Sequence, residues 1–137
     1  MRMSLAHIAK GKISRLDGPQ VVFNPRDTNY QLYLEIAGVP QIVLNEPVDA
    51  VLNASARKVY TVPSGGLFVS PIVGTPRILQ GRVKEITDGW LTLNCGVIVN
   101  VQLPDDAGAV ELANGEIAAG SLVNVVLQPG ASFTTKV

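Results

Sequence analysis

The chain is 137 residues long, enough for one ordinary domain or two very small ones. Eleven Lys and Arg side chains balance eleven Asp and Glu, so no overall field favours a polyanion or an anionic membrane surface. Charged residues make up 16% against a customary figure of about 25%, and mean hydropathy is +0.28; a small interior cannot hide that much apolar side chain, and the surplus points to contacts with partners.

The opening "MRMSLAHIAKGK" lacks the apolar core of a secretion signal. No run approaches the roughly 18 apolar residues of a membrane span. The expectation is a cytoplasmic protein with no membrane partner, a virion or assembly component being compatible with the same features.

Residues 11–24 read "GKISRLDGPQVVFN", and seventy residues later 81–94 read "GRVKEITDGWLTLN". Gly11/Gly81, Lys12/Arg82, Ile13/Val83, Leu16/Ile86, Val21/Leu91, Phe23/Leu93 and Asn24/Asn94 match in kind. In each copy two apolar residues stand three apart, Ile13 and Leu16 or Val83 and Ile86. A regular strand would send such a pair to opposite faces, so a bulge shared by both copies is predicted, turning both residues inward. Asp17-Gly18 and Asp88-Gly89 follow, dipeptides that favour the positive φ angles of tight hairpins.

Residues 30–36 alternate, with Leu32, Leu34 and Ile36 inward and Tyr33 outward. Strands over 41–44 and 58–62 complete the first copy. Between them Asp49 is placed to cap a short helix running to about Ala56, the one helical candidate. Residues 63–76, "PSGGLFVSPIVGTP", carry six glycines and prolines in fourteen residues, which marks a connector. Its apolar centre either tucks between the two copies, docks on a neighbouring subunit, or belongs to one copy as a strand. The second copy continues through 97–103, with Asn100 and Gln102 on the polar face, then 109–113, an Asn114-Gly115 turn and a last strand over 122–127.

About five short strands per copy, each with one polar face, predict an all-β fold. The expected architecture is a tandem duplication of small five-stranded OB-like or SH3-like antiparallel barrels with at most one short helix. The boundaries are 1–66 for the first barrel, 67–76 for the connector and 77–137 for the second.

No catalytic, cofactor-binding or metal-ligating set emerges. The glycine-rich connector lacks the Gly-Lys-Ser/Thr ending of a phosphate cradle. One His (His7), one Cys (Cys95) and scattered carboxylates give no ligand spacing. A Cys95–His7 pair would have to bridge the two copies. Cys95 reads instead as a small, partly buried apolar residue, and Asp105-Asp106 as a solvated turn. The chain is read as a non-enzyme without cofactors.

The stretch "GKISRLDGPQVVFN" resembles the opening strands of the small β-barrel at the N-terminus of rotary ATPase catalytic subunits, where a Gly-Lys-Ile start leads to a Gly-Pro-Val-Val turn and strand. The resemblance covers residues 11–24 and implies a way of starting a small barrel, with no catalytic residue carried over. Residues 117–127, "IAAGSLVNVVL", look like the approach to the last strand of many OB-like and SH3-like barrels, folds that host unrelated activities.

The expected role is therefore a non-catalytic structural or interaction module that self-associates or joins a larger protein assembly. Leu67, Phe68, Val69, Ile72 and Val73 are the candidate self-association residues. The alternative is single-stranded nucleic-acid binding in an OB-like groove built from Lys10, Lys12, Tyr33, Arg82, Lys84 and Trp90. Zero net charge disfavours it, since phosphate neutralisation needs a basic excess.

Overall fold

A computed structural model describes residues 7–38, 41–105, 110–111 and 116–135, the pair 110–111 through its backbone. The fold is all-β: β1 (Ala9–Asp17), β2 (Gln20–Pro25), β3 (Gln31–Ile36), β4 (Pro47–Thr61), β5 (Phe68–Ser70), β6 (Val73–Gly74), β7 (Ile78–Thr87), β8 (Trp90–Asn94), β9 (Ile98–Gln102), β10 (Val110–Glu111), β11 (Leu122–Leu127) and β12 (Ser132–Thr135). They form one mixed sheet with the path β1-β2-β3-β12-β4-β11-β7-β8-β9. Four of its pairings are parallel, β3–β12, β4–β9, β3–β6 and β4–β10, so the expected purely antiparallel arrangement is corrected to a mixed one. Among the described residues no helix is long and apolar enough to cross a membrane.

The repeated stretches fold alike in detail. Lys12 faces Asn24, Ile13 faces Phe23, Arg15 faces Val22 and Leu16 faces Val21. Seventy residues on, Arg82 faces Asn94, Val83 faces Leu93, Glu85 faces Thr92 and Ile86 faces Leu91. The predicted bulge is present in both, between Ile13 and Arg15 and between Val83 and Glu85. Its expected consequence is half right. Ile13 and Val83 are buried, but Leu16 and Ile86 are 50% and 42% exposed, because they lie one pair from the hairpin turn, at the edge of the core. Both hairpins close with two-residue loops. Asp88 and Gly89 both have positive φ, the type I′ pattern, whereas Gly18 alone does in the first copy and Pro19 supplies the fixed negative φ of the next position. Backbone bonds repeat as well: Ile36 N–H donates to Pro19 O (3.0 Å) and Leu103 N–H to Gly89 O (2.8 Å).

The proposed helix from Asp49 to Ala56 is overturned: these residues lie inside the fifteen-residue strand β4. The alanines and Leu52 that looked helical alternate at period two, with Ala50, Leu52, Ala54 and Ala56 all buried. Pairing with β1, β12, β9, β11 and β10 outweighs a weak local propensity. The predicted strand over 41–44 is also absent, replaced by irregular chain and a turn in which Asn45 takes positive φ and donates to Ile13 O (2.8 Å). The Asn114-Gly115 turn lies outside the described residues, as do 109, 112 and 113 of the strand predicted there.

Both ends of the path return to β4. The first half of β4 pairs with β1 and β12, and the second half with β9 and β11. β12 was not foreseen; it lies between β3 and β4, among strands of the first copy, although it follows β11 of the second. One continuous core results, with Phe133 of β12 packed on Phe23 of β2 at a ring distance of 5.7 Å.

Candidate interaction surface

The connector between the copies is a strap fastened to both. β5 adds antiparallel to the start of β7, with Phe68 facing Gln80 and Ser70 facing Ile78. Three residues further, β6 adds parallel to the start of β3, with Val73 facing Gln31. Gln31 N–H donates to Ile72 O (2.8 Å) and Arg77 N–H to Ser70 O (2.9 Å). The Gln80 side chain donates to Gly66 O (3.0 Å) and accepts from the Asn124 amide (3.1 Å), tying the approach to the strap as well. The strap is thus strand-paired on both sides, to β7 and to β3.

Period two along β5 then decides which side chains face out. Val69 is 2% exposed and anchors the strap against Leu79, so it drops out of the proposed contact set. Leu67, Phe68, Ile72 and Val73 remain exposed, Ile72 and Val73 to 54% and 51%. No Asp, Glu, Lys or Arg occurs from residue 59 to 76, so nothing charged interrupts this face within the strap itself. On the sides away from β7 and β3, no strand pairs with β5 or β6 among the described residues.

The basic candidates are placed differently. Lys10 and Lys12 are exposed on β1, Arg82 and Lys84 on β7, and β4 and β11 stand between those strands in the pairing order. Tyr33 is occupied: its hydroxyl accepts from Arg15 (2.8 Å), whose guanidinium also lies 5.6 Å from the ring centre. Arg82 donates to Gly120 O (3.1 Å), and Lys10 pairs with Asp49 (3.1 Å). Trp90 is 37% exposed at the second hairpin. Of these six, Lys12 and Arg82 occupy matching positions in the two copies, and the six do not share one strand ladder.

His7 and Cys95 do not meet. The His7 ring nitrogen lies 2.9 Å from Glu85, and this hydrogen bond holds the Glu85 carboxyl below its ordinary value. Cys95 is wholly buried, its Sγ against Val97 O (3.3 Å), and burial pushes the thiol up to about 12. Asn100, expected on a polar outer face, is 5% exposed. Its amide donates to Leu52 O (3.1 Å) and to His7 O (3.4 Å), and its carbonyl accepts from Thr92 (3.3 Å). The chain entering β1 crosses this face, which no pattern within 97–103 could signal.

Compared with protein-family models, curated proteins and solved structures, the chain matches none.

Proposed function

We propose that this protein is a non-catalytic interaction module, a duplicated pair of small OB-like barrels that self-associates through the outer face of the strap. The reading of the fold rests on the two circuits that meet at β4. One runs β1-β2-β3-β12-β4 and back to β1; the other runs β7-β8-β9, the second half of β4, β11 and back to β7. In each, the strand after the third is parallel to it and antiparallel to the next, the order of an OB-type barrel. On this reading each barrel is closed by a strand from the other copy: β4 runs on into the second barrel, and β12 returns from β11 into the first.

One observation carries the functional reading: Leu67, Phe68, Ile72 and Val73 stand exposed on a strap whose backbone is fixed on both sides. A flexible arm would lose entropy on docking; a fastened strap presents its apolar face ready-made. With zero net charge, two copies meet without overall repulsion. The occupant is a second copy of this chain, seated strap to strap.

The test is a double substitution, Leu67→Glu with Ile72→Glu, measured by size-exclusion chromatography with light scattering and by circular dichroism. Both side chains are exposed, so the variant should keep the wild-type spectrum and lose the multimer. A multimer that survives the substitution would place the interface elsewhere. Nucleic acid co-eluting with wild type and leaving at high salt would overturn the reading in favour of strand binding.

A further inference from the structure

Tyr30 stands where three parts of the chain meet: the start of β3, the strap, and the connection from β8 to β9. Its backbone is fixed locally. The Tyr30 N–H donates to the Thr28 hydroxyl (3.2 Å), which itself donates to Pro25 O (2.9 Å). The ring packs against the core and along Gly96, where an added β-carbon would come within 3.2 Å of its Cε2 and of its oxygen.

The hydroxyl lies between backbone groups of two other segments. It donates to Cys95 O of the second copy (3.3 Å), and the Val69 N–H of β5 is directed at the same oxygen. Burial raises the Tyr30 pKa above its ordinary 10.0, outweighing the lowering by Val69, so the donated proton is in place at neutral pH. The duplication does not repeat this contact. Leu32 faces Phe23 as Val99 faces Leu93, so the counterpart of Tyr30 is Val97, which has no hydroxyl. The strap has few other fastenings, since β5 pairs through three residues and β6 through two. One further link therefore weighs heavily in whether it stays down.

We propose that Tyr30 is the latch of the strap: its side chain ties β5 to the Cys95–Gly96 backbone of the second copy and sets how often β5 lifts from β7. Lifting would bare the backbone edge of Ile78–Gln80, a template for pairing with another chain, so the latch guards that edge. Removing the hydroxyl takes no pairing from either circuit; the opening is confined to the strap. The latch is a property of the single chain and does not depend on self-association.

The experiment follows hydrogen exchange of backbone amides by NMR in the full-length protein, with and without Tyr30→Phe. Both samples also carry Leu67→Glu with Ile72→Glu, so that contact between copies through the strap plays no part. The reporter is the Arg77 N–H, which donates to Ser70 O of the strap (2.9 Å) and is far from Tyr30 in the chain. Tyr30→Phe should make it exchange about tenfold faster, the protection that one hydrogen bond supplies. Val21 and Val101, each inside one circuit and paired on both sides, should exchange as before. Unchanged exchange at Arg77 would overturn the proposal. So would an equal rise at all three amides, which would mean that Tyr30 supports the fold as a whole and does not act on the strap.

Discussion

Gly81 lies so close to the backbone carbonyl of Asn94 that a β-carbon at this position would collide with it, and Gly11 stands in the same relation to Asn24. Both glycines lie two residues before the start of the bulge in the strand that carries it, and both are needed for close approach rather than for a positive φ. The obstacle is backbone, which cannot swing aside. Gly81→Ala and Gly11→Ala should each cost about 1–3 kcal/mol of stability. Gly66→Ala, with open space around it, should stay within about 0.5 kcal/mol of wild type. Chemical denaturation measures all three, and a neutral Gly81→Ala would refute the close-approach argument.

Phe133, two residues from the end of the described chain, holds the first circuit together. It is fully buried against Phe23, so Phe133→Ala should cost about 3–5 kcal/mol. Because β4 runs through both circuits, the loss should also appear at Trp90, on a strand of the other one. A lowered unfolding midpoint by Trp90 fluorescence is expected. An unchanged Trp90 transition beside a shifted far-ultraviolet one would mean that the two circuits unfold independently.

Burial makes Cys95 inert. With its thiol pushed up to about 12 and no exposed surface, it should resist alkylation in native protein at pH 8 and react only as fast as the chain opens. Mass spectrometry of iodoacetamide-treated samples, with and without denaturant, gives the comparison. Rapid native labelling would contradict the described packing.

Glu85 introduces an acid sensitivity. Its carboxyl is held low in the folded protein by the hydrogen bond from His7, so the stability it contributes is present above the ordinary glutamate value of 4.5. That contribution fades as pH falls through the lowered value. Glu85→Gln should therefore melt below wild type at pH 7, and the gap should close on acidification to about pH 3. A gap that widens in acid would show that the pairing with His7 is not its source.

How much of this was written in the sequence varies by element. The shared bulge was legible because the same irregularity occurs twice, in "KIS" and "RVK", and two copies of an error are improbable. The strand β11 was legible from its run of valines, and the strap's involvement from an apolar stretch where a linker should be polar. Three features were hidden. Residues 49–56 carry a capping aspartate and three alanines, which look helical locally, while the partners that make them a strand lie far away in the chain. β12 has four residues, too few to show a period. The burial of Asn100 depends on chain from the opposite end crossing its face. Among the candidate contact residues, alternation alone would have separated Val69 from Phe68, had β5 been recognised as a strand.

Sedimentation velocity of the wild-type protein across a hundredfold concentration range, from about 1 µM, tests the self-association directly. A discrete multimer that dissociates on dilution, and that Leu67→Glu with Ile72→Glu reduces to a folded monomer, is the predicted result. A species of 14.5 kDa at every concentration would contradict it, leaving the exposed face of the strap without the partner assigned to it.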